Sequence, residues 1–219
     1  MKMNKFLAVA LLAVSALGIQ TADAQSLSPS TKWHWDKGTI VVETPERPAG
    51  QEHVLGLTAA PIKTVRVGFV GLGMRGPGAV NRFTHLEGVE IKGLCDLKQE
   101  NVSKCQPMLE RAGMPKAAEY VGEEAYKELC ERDDVDLIYI ATDWLNHTPI
   151  ALYAMEHGKH VAIEVPAATS IEECWQLVDT SERTRRHCMM LENCVYDFFE
   201  LTSLNMAQQG LFGEILHAE

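Results

Sequence analysis

The sequence predicts an α/β protein with a doubly wound parallel sheet, followed by the start of a second, α+β domain. From residue 63 onward, short apolar runs alternate with helix-length segments, and a glycine-rich turn joins the first run to the first helix. Near the C terminus, a helix and a strand-like run begin a pattern that the remaining residues do not complete. We therefore expect the 219 residues to be an N-terminal fragment with a truncated second domain.

The first 24 residues are predicted to be a secretory signal peptide. Lys2 and Lys5 give a positive start, residues 6–17 are apolar, and Ala22-Asp23-Ala24 is a small-x-small cleavage site. The apolar run is too short to span a membrane, and no cysteine follows the cleavage site. We expect an exported, periplasmic protein without a membrane anchor.

Composition excludes one class of partner. Hydrophobic residues make up 46% of the chain and charged residues 23%, and the formal net charge is −10. A nucleic-acid surface needs a basic stripe, so no nucleic-acid partner is expected. The six cysteines show no CxxC pair and no framework spacing, so most are expected to be buried apolar residues and no metal site is expected. A homo-oligomer is compatible with these features.

Residues 25–62 are predicted to form an extended N-terminal arm, because prolines and polar residues interrupt any regular pattern there. Trp33, His34 and Trp35 either line a site or pack on the surface, and packing on the surface is favoured.

Seven later segments have the short runs of apolar and β-branched residues that predict strands. They cover residues 65–71, 89–96, 119–121, 135–142, 160–165, 187–193 and a run that begins at 213. Helices are predicted between them, through 79–83, at 98–112, at 123–132, from the turn at 146–149 to 158, after 170, and at 198–210. Residues 63–193 are assigned to the first domain and 194–219 to the second.

The helix after residue 170 has a clear start signal. Ser170 and Glu173 form a capping box. Four apolar residues recur at i, i+3, i+4 and i+7 and predict its buried face: Ile171, Cys174, Trp175 and Val178.

The glycine-rich turn predicts a Rossmann-type dinucleotide site. Residues 71–76 read G-x-G-x-x-G, follow a predicted strand and open a helix, which is the context that this motif requires. Gly71 permits the tight turn, Gly73 lets the backbone approach a pyrophosphate, and Gly76 lets the helix lie close to the sheet. Without a ligand, the same residues would be a glycine turn only.

Asp96 ends the second predicted strand, 20 residues after Gly76. A carboxylate at this position accepts hydrogen bonds from a ribose diol and repels a 2′-phosphate. NAD is therefore favoured over NADP as the cofactor, although Lys98 lies nearby.

Further candidate site residues follow other strands of the predicted sheet, at the edge where ligands bind in such folds. They are Asp143, Trp144, Leu145, Asn146 and His147 after one strand, Glu164 at the end of the next, and Asn193 and Tyr196 after the last. Alternatives stay open for several of them: Asn146 as a helix cap with His147 solvated, Glu164 as a helix-dipole partner, Asn193 as a turn cap and Tyr196 as a core aromatic.

Residues 63–219 resemble the Gfo/Idh/MocA oxidoreductase superfamily. The resemblance rests on VGFVGLGMRG, LCDL, IATDWLNHTPIALYAMEHGKHVAIEVP and MMLEN in that order. In dehydrogenases of that superfamily the counterpart of Glu164 is followed by Lys-Pro, and the lysine serves the proton transfer. This chain has Val165 there, which argues against ordinary alcohol dehydrogenation.

The chain is more closely similar to glycoside hydrolase family 109, NAD-dependent α-N-acetylgalactosaminidases of bacteria, through Glu164-Val165-Pro166 and MMLENCVYDFFELTSLNMAQQGLFGEILHAE. The resemblance implies a glycan substrate. It also implies NAD contacts from a set of residues along the sheet edge: Met74, Arg75, Asp96, Trp144, Leu145, Asn146, His147, Glu164, Val165 and Asn193.

The implied reaction uses NAD without net oxidation. A hydride leaves C3 of the sugar, the C2 proton is removed, the group at C1 is expelled, water adds, and the hydride returns. The main catalytic residues are expected beyond Glu219, so Tyr196 is the only catalytic candidate within the chain. The chain alone is expected to bind NAD without turnover. The alternative is a periplasmic sugar or polyol oxidoreductase of the same superfamily.

Overall fold

The computed structural model describes residues 33–42, residue 44 and residues 46–217. The predicted signal peptide lies outside the described residues. The chain divides into two compact units, one up to Pro45 and one from Glu46 onward. Among the described residues, no helix has the length and apolar character needed to cross a membrane.

The described part of the first unit is a β-hairpin, where the sequence predicted an extended arm. Strand β1 (Trp33–Asp36) pairs antiparallel with β2 (Thr39–Val42), with Asp36 opposite Thr39. Both turn residues, Lys37 and Gly38, have positive φ angles of 47° and 88°. Two-residue hairpin turns of this kind favour asparagine or glycine at the first position, so Lys37 does not indicate a turn in the sequence.

The second unit contains a six-stranded parallel sheet, which confirms the predicted fold class. The strands are β3 (Val65–Val70), β4 (Val89–Asp96), β5 (Ala118–Val121), β6 (Leu137–Ile140), β7 (His160–Glu164) and β8 (Cys188–Leu191). Their order in the sheet is β5-β4-β3-β6-β7-β8. The order reverses direction at β3, so the crevice at the carboxyl end of β3 is the expected ligand site of a doubly wound sheet.

Helices cover both faces of the sheet. They are α1 (Gly76–Phe83), α2 (Gln99–Ser103), α3 (Gln106–Arg111), α4 (Ala125–Cys130), α5 (Trp144–Glu156), α6 (Ile171–Thr184) and α7 (Phe198–Gln208), with a 3₁₀ helix at Cys194–Tyr196. Alternate strand residues enter two separate cores. In β6, Ile138 and Ile140 join one core and Tyr139 joins the other. Burial on both faces explains why the strands appear in the sequence as continuous apolar runs.

Two predicted helices begin or end elsewhere. The segment 98–112 forms two helices, α2 and α3, because the chain bends at Lys104–Cys105 and Pro107 opens the second helix. Helix α5 begins at Trp144 with Asp143 as its N-cap, and Pro149 lies within it. The predicted strand from residue 213 is absent from the described residues up to 217, which form turns and irregular chain.

The predicted N-cap of α6 at Ser170 is confirmed, and Glu173 reaches back one residue further, to the N–H and hydroxyl of Thr169. Ser170 Oγ accepts from the Glu173 N–H at 3.1 Å. Of the predicted buried face, Ile171 and Trp175 are only partly buried. The buried residues of the helix include Leu177, Thr180 and Ser181, whereas Cys174 and Val178 are exposed. Polar residues with local hydrogen bonds can be buried, and the hydrophobic period alone misses them: the Ser181 hydroxyl donates to the Arg186 carbonyl at 2.6 Å.

The segment that begins the second unit is held on α6 by a buried carboxylate. Glu182 is 4% exposed, and it accepts two hydrogen bonds from the Arg47 guanidinium, at 2.8 and 2.9 Å, and one from Gln51 at 2.9 Å. These hydrogen bonds, Arg47 first, lower the pKa of Glu182 to about 2. The attachment therefore depends on an ionised Glu182.

We predict that this contact loses its contribution in acid. Because the folded-state pKa of Glu182 is depressed, its stabilisation is fully present above the unfolded pKa of about 4.5 and is lost as the pH falls towards 2. Glu182→Gln should lower the melting temperature at about pH 7. By the same linkage, its difference from the wild type should shrink as the pH falls from about 5 to about 2. Differential scanning calorimetry across this pH range measures both.

The matched control is Glu156→Gln, which breaks the ion pair of Glu156 with Arg183, both about half exposed. Exposed pairs contribute about 0–1 kcal/mol, so this variant should melt close to the wild type at every pH. Equal effects of the two substitutions would contradict a special role for Glu182.

Candidate functional site

A cleft of about 930 Å³ lies at the carboxyl ends of β3, β4, β6 and β7. Eleven of the predicted site residues line it: Gly71, Gly73, Met74, Arg75, Asp96, Asp143, Trp144, Asn146, His147, Glu164 and Val165. Residues that the sequence did not single out for the site also line it, among them Asn101, Glu123, Tyr126 and Ile150. One continuous cleft thus joins the glycine turn, the Asp96 side of the sheet and the Glu164 side.

The three glycines of the motif have different physical reasons to be glycine. Gly71 has φ +92°, and a Cβ atom there would lie 2.5 Å from the backbone of Ala141. A Cβ at Gly76 would lie 2.0 Å from the carbonyl oxygen of Gly71. These two positions are required by the fold itself, because helix α1 and the turn pack against neighbouring backbone.

Gly73 differs, because a Cβ atom there would meet no protein atom within 4 Å and its φ is not positive. Nothing in the protein's own packing requires glycine at this position, which lines the cleft before the first turn of α1. The missing side chain leaves room in which a phosphate can approach the backbone and the helix N-terminus. This space is what a dinucleotide pyrophosphate requires, so the turn fits the predicted cofactor.

Asp96 fastens the glycine turn to the end of β4. Its Oδ2 accepts from the Leu72 N–H at 2.7 Å, and its Oδ1 accepts from the Lys98 N–H at 2.9 Å and from the Asn101 side chain at 2.8 Å. Lys104 extends the network to Asn101 Oδ1 at 2.8 Å. Three of the roughly four acceptor positions of the carboxylate are used within the protein, and the remaining one is available to a ribose hydroxyl.

His147 is buried, and the alternative of a solvated first-turn residue is wrong. It is 1% exposed, with Nδ1 at 2.7 Å from the Pro166 carbonyl oxygen and Nε2 at 3.2 Å from that of Thr142. The ring therefore joins the first turn of α5 to the ends of β6 and β7. Asn146 is not the cap: its side chain donates to Asp143 at 2.7 Å, and this hydrogen bond chiefly lowers the pKa of Asp143.

Glu164 is a buried carboxylate with partners from two distant segments. It is 5% exposed, and its Oε1 accepts a 2.6 Å hydrogen bond from the Tyr139 hydroxyl. Its Oε2 lies 3.6 Å from the guanidinium of Arg75, which comes from the glycine turn. The alternative that Glu164 serves the helix dipole at Ser170 gains no support, because Ser170 and Glu173 close that helix end locally.

Tyr139 holds Glu164 as a protonated donor. Burial, followed by the hydrogen bond to Glu164, raises the pKa of the phenol, while nearby Arg82 acts in the opposite sense. The sequence analysis did not single out Tyr139, because residues 135–142 predict a strand by their β-branched and aromatic residues. A signal existed, since a buried tyrosine hydroxyl usually needs a polar partner.

Four predicted residues do not line the cleft. Gly76 packs beneath it, and the Leu145 side chain is 72% exposed outside it. Asn193 and Tyr196 lie in the exposed segment around the 3₁₀ helix and are not among the residues that line the cleft. A cofactor contact by Asn193 and a catalytic role for Tyr196 stay predictions.

The cysteines near the site do not supply a nucleophile. All six thiols are free. Cys95 lines the cleft, but burial raises the pKa of its thiol to about 12, so it stays protonated at neutral pH. Cys174 and Cys194 are exposed, which corrects the expectation of a buried Cys174.

Comparisons with known proteins agree with this geometry. Residues 65–192 match the model of the GFO_IDH_MocA family, described as an oxidoreductase family with an NAD-binding Rossmann fold. The chain is 60% identical over 200 residues to glycosyl hydrolase family 109 protein 5 of Phocaeicola vulgatus, covering 91% of this chain and 38% of that protein. It is also 60% identical over 218 residues to glycosyl hydrolase family 109 protein 1 of Bacteroides thetaiotaomicron, covering 99% of this chain and 45% of that protein.

Among solved structures, an NAD-binding protein from Listeria innocua superimposes with a TM-score of 0.59 at 27% identity, over 71% of this chain and 43% of that one. The chain thus spans less than half the length of the curated relatives and of this structural neighbour.

Gly73→Ala tests whether the open space at the glycine turn holds a phosphate. The added methyl group meets no protein atom, so the melting temperature should stay within about 2 °C of the wild type. Because the methyl group occupies the path of a phosphate to the backbone, the dissociation constant for NAD should rise by about tenfold or more, or about 1.4 kcal/mol. Isothermal titration calorimetry measures the binding.

Two matched glycine variants separate binding from folding. Gly78→Ala makes the same change in helix α1 outside the cleft, where the Cβ atom has only ordinary contact with Arg82, and it should leave NAD affinity unchanged. Gly71→Ala should instead destabilise the fold, because its Cβ collides with backbone. Unchanged NAD affinity in a folded Gly73→Ala variant would contradict the assignment of the turn.

Asp96→Ala should weaken NAD binding by about 1–3 kcal/mol, the usual cost of burying a donor, here a ribose hydroxyl, without its acceptor. Because a carboxylate at this position repels a 2′-phosphate, the same change should narrow the preference for NAD over NADP. Titration of the folded variant with both cofactors measures the two effects, and an unchanged NAD affinity would remove Asp96 from the site.

Proposed function

This chain belongs to the Gfo/Idh/MocA oxidoreductase family with its NAD-binding Rossmann fold, and we propose that it is the cofactor-binding part of a glycosidase. The proposed reaction is hydrolysis of terminal α-N-acetylgalactosamine with NAD as a resident cofactor. The relatives at 60% identity, named glycosyl hydrolase family 109 proteins, support the glycosidase class. The sugar itself rests on the resemblance through Glu164-Val165-Pro166 and the segment that follows.

One observation carries the proposal: the residue after Glu164 is an apolar side chain that lines the cleft. Val165 is partly buried there, beside a buried carboxylate. The dehydrogenases that the sequence resembles use a lysine at this point for proton transfer from an alcohol. Valine offers no proton acceptor, so a simple alcohol oxidation lacks its base at this position.

NAD would be held by the residues already described, and when bound it supplies a reversible hydride acceptor for the sugar. The glycine turn and the N-terminus of α1 would receive the pyrophosphate. Asp96 would accept from a ribose hydroxyl through its one remaining acceptor position. Glu164 and His147 line the cleft and are 5% and 1% exposed, so both are largely kept out of bulk water.

A reaction that returns its hydride needs no exchange of the cofactor. This property suits an exported protein, and we propose periplasmic export on the strength of the N-terminal segment described above. A small-molecule or glycan substrate is proposed for the same site, with no nucleic-acid partner.

The decisive test replaces the first part of the Bacteroides thetaiotaomicron relative by this chain, which covers 45% of that protein. The hybrid protein, purified without added cofactor, is given p-nitrophenyl α-N-acetylgalactosaminide. We expect release of p-nitrophenol with no lasting rise in the absorbance of NADH at about 340 nm, because the hydride is returned in each turnover.

The oxidoreductase alternative gives the opposite pattern. Free sugars or polyols would then produce NADH in proportion to substrate consumed, with no glycoside cleavage, and added NAD would be needed. That outcome would contradict the proposed function and support the alternative.

A further inference from the structure

Glu164 and Asp96 lie on opposite sides of the glycine turn. The sheet order places Asp96, at the end of β4, on one side of β3, and Glu164, at the end of β7, beyond β6 on the other side. Both residues line the same cleft. A dinucleotide with its adenosine ribose at Asp96 and its pyrophosphate at Gly73 extends its other half towards β6 and β7.

That half carries the nicotinamide ring, whose charge depends on its redox state. The ring of NAD⁺ is a cation and the ring of NADH is neutral, because the transferred hydride brings one negative charge. A fixed carboxylate nearby interacts with the two forms differently. In a partly desolvated cleft, such a charge interaction is stronger than it is in water.

The charge of Glu164 is only partly compensated by its neighbours, so it can interact with the nicotinamide ring. The ion pair that the structure gives it is with Arg75, at 3.6 Å, and the Arg75 side chain is 53% exposed. Arg75 comes from the glycine turn, so a pyrophosphate bound there competes for the same guanidinium. Loss of this partner leaves Glu164 with a hydrogen bond from Tyr139 and no other direct ion pair among the described residues.

Tyr139 fixes where the charge of Glu164 lies. Its ring is 4% exposed and contacts the rings of Phe69 and Phe83, with centroids 5.1 and 5.5 Å away. The hydroxyl donates to Oε1, and the other oxygen of the carboxylate is the one that pairs with Arg75. A side chain packed in this way has few other rotamers, so the carboxylate is held in one orientation.

We propose that Glu164, positioned by Tyr139, makes this site select the oxidised over the reduced form of the cofactor. Since a hydride-returning reaction starts from NAD⁺, this preference deepens the proposed function by keeping the resting protein ready for substrate, and to that extent it rests on that function. Glu164 is the group that meets the cofactor, and Tyr139 is a positioning residue.

The test measures dissociation constants of the full chain for NAD⁺ and for NADH separately, by calorimetry, in the wild type and in Glu164→Gln. The wild type should bind NAD⁺ more tightly. Glutamine keeps the size of the side chain and the acceptor for Tyr139 but removes the charge. The preference for NAD⁺ should then fall by about tenfold, equivalent to about 30 mV in the reduction potential of a bound two-electron couple.

Two phenylalanine variants separate positioning from packing. Tyr139→Phe removes the hydroxyl and keeps the ring, and it should reduce the NAD⁺ preference in the same direction by a smaller factor. Tyr153→Phe is the matched control: it breaks the 2.5 Å hydrogen bond from Tyr153 to Glu131, another tyrosine–glutamate pair, whose residues do not line the cleft. It should leave the preference unchanged.

An unchanged ratio of the two dissociation constants in folded Glu164→Gln would overturn the proposal. If that variant fails to fold, an unchanged ratio in Tyr139→Phe together with wild-type NAD⁺ affinity would overturn it equally. A ratio that falls in Glu164→Gln while the hybrid protein shows no glycosidase activity would support this inference and reject the proposed function.

Discussion

The close approach of two backbone segments, at Gly71 and at residues 141–142, is the constraint on which the cleft depends. A Cβ atom at Gly71 would lie 2.5 Å from the Ala141 carbonyl group and 2.6 Å from the Thr142 nitrogen. Because the turn is pressed against the end of β6, helix α1 starts directly above the sheet and Gly76 packs on the Gly71 carbonyl. Arg75, just before that helix, is thereby brought across to Glu164 on β7.

Burial of Glu164 is costly unless its charge is paired and hydrogen-bonded. A hydrogen bond to a charged group contributes about 1.5–3 kcal/mol, and Tyr139 supplies one from inside the core. Arg75 supplies the opposite charge from a half-exposed position. One partner is thus fixed by aromatic packing, and the other belongs to the turn where a cofactor phosphate would bind. The compensation of the Glu164 charge is therefore coupled to whether a phosphate occupies the glycine turn.

The features that the sequence predicted correctly are those with short-range causes. The G-x-G-x-x-G turn, the strand-end Asp96 and the N-cap of α6 each depend on a few neighbouring residues, and the alternating apolar runs indicate the parallel sheet. The features that it missed depend on distant contacts. The ion pair of Arg75 and Glu164 joins residues 89 positions apart. The buried face of α6 contains Ser181, whose hydroxyl donates to the carbonyl of Arg186 just beyond the helix. The spacing of apolar residues along the sequence predicts neither the ion pair nor this buried face.

The residue at position 165 determines which charges lie near Glu164. A lysine there would be a second cation next to Glu164 in sequence and within the same cleft. Its charge would offset that of the carboxylate whether or not a cofactor occupied the turn. With valine, the compensating charge is Arg75 alone among the ion pairs of Glu164 in the described chain, and Arg75 is also the residue that a pyrophosphate attracts. The substitution therefore removes a proton acceptor and, in the same step, makes the charge of Glu164 responsive to cofactor binding. Both consequences agree with the proposed function, in which the hydride returns to the substrate and the reduced cofactor does not depart.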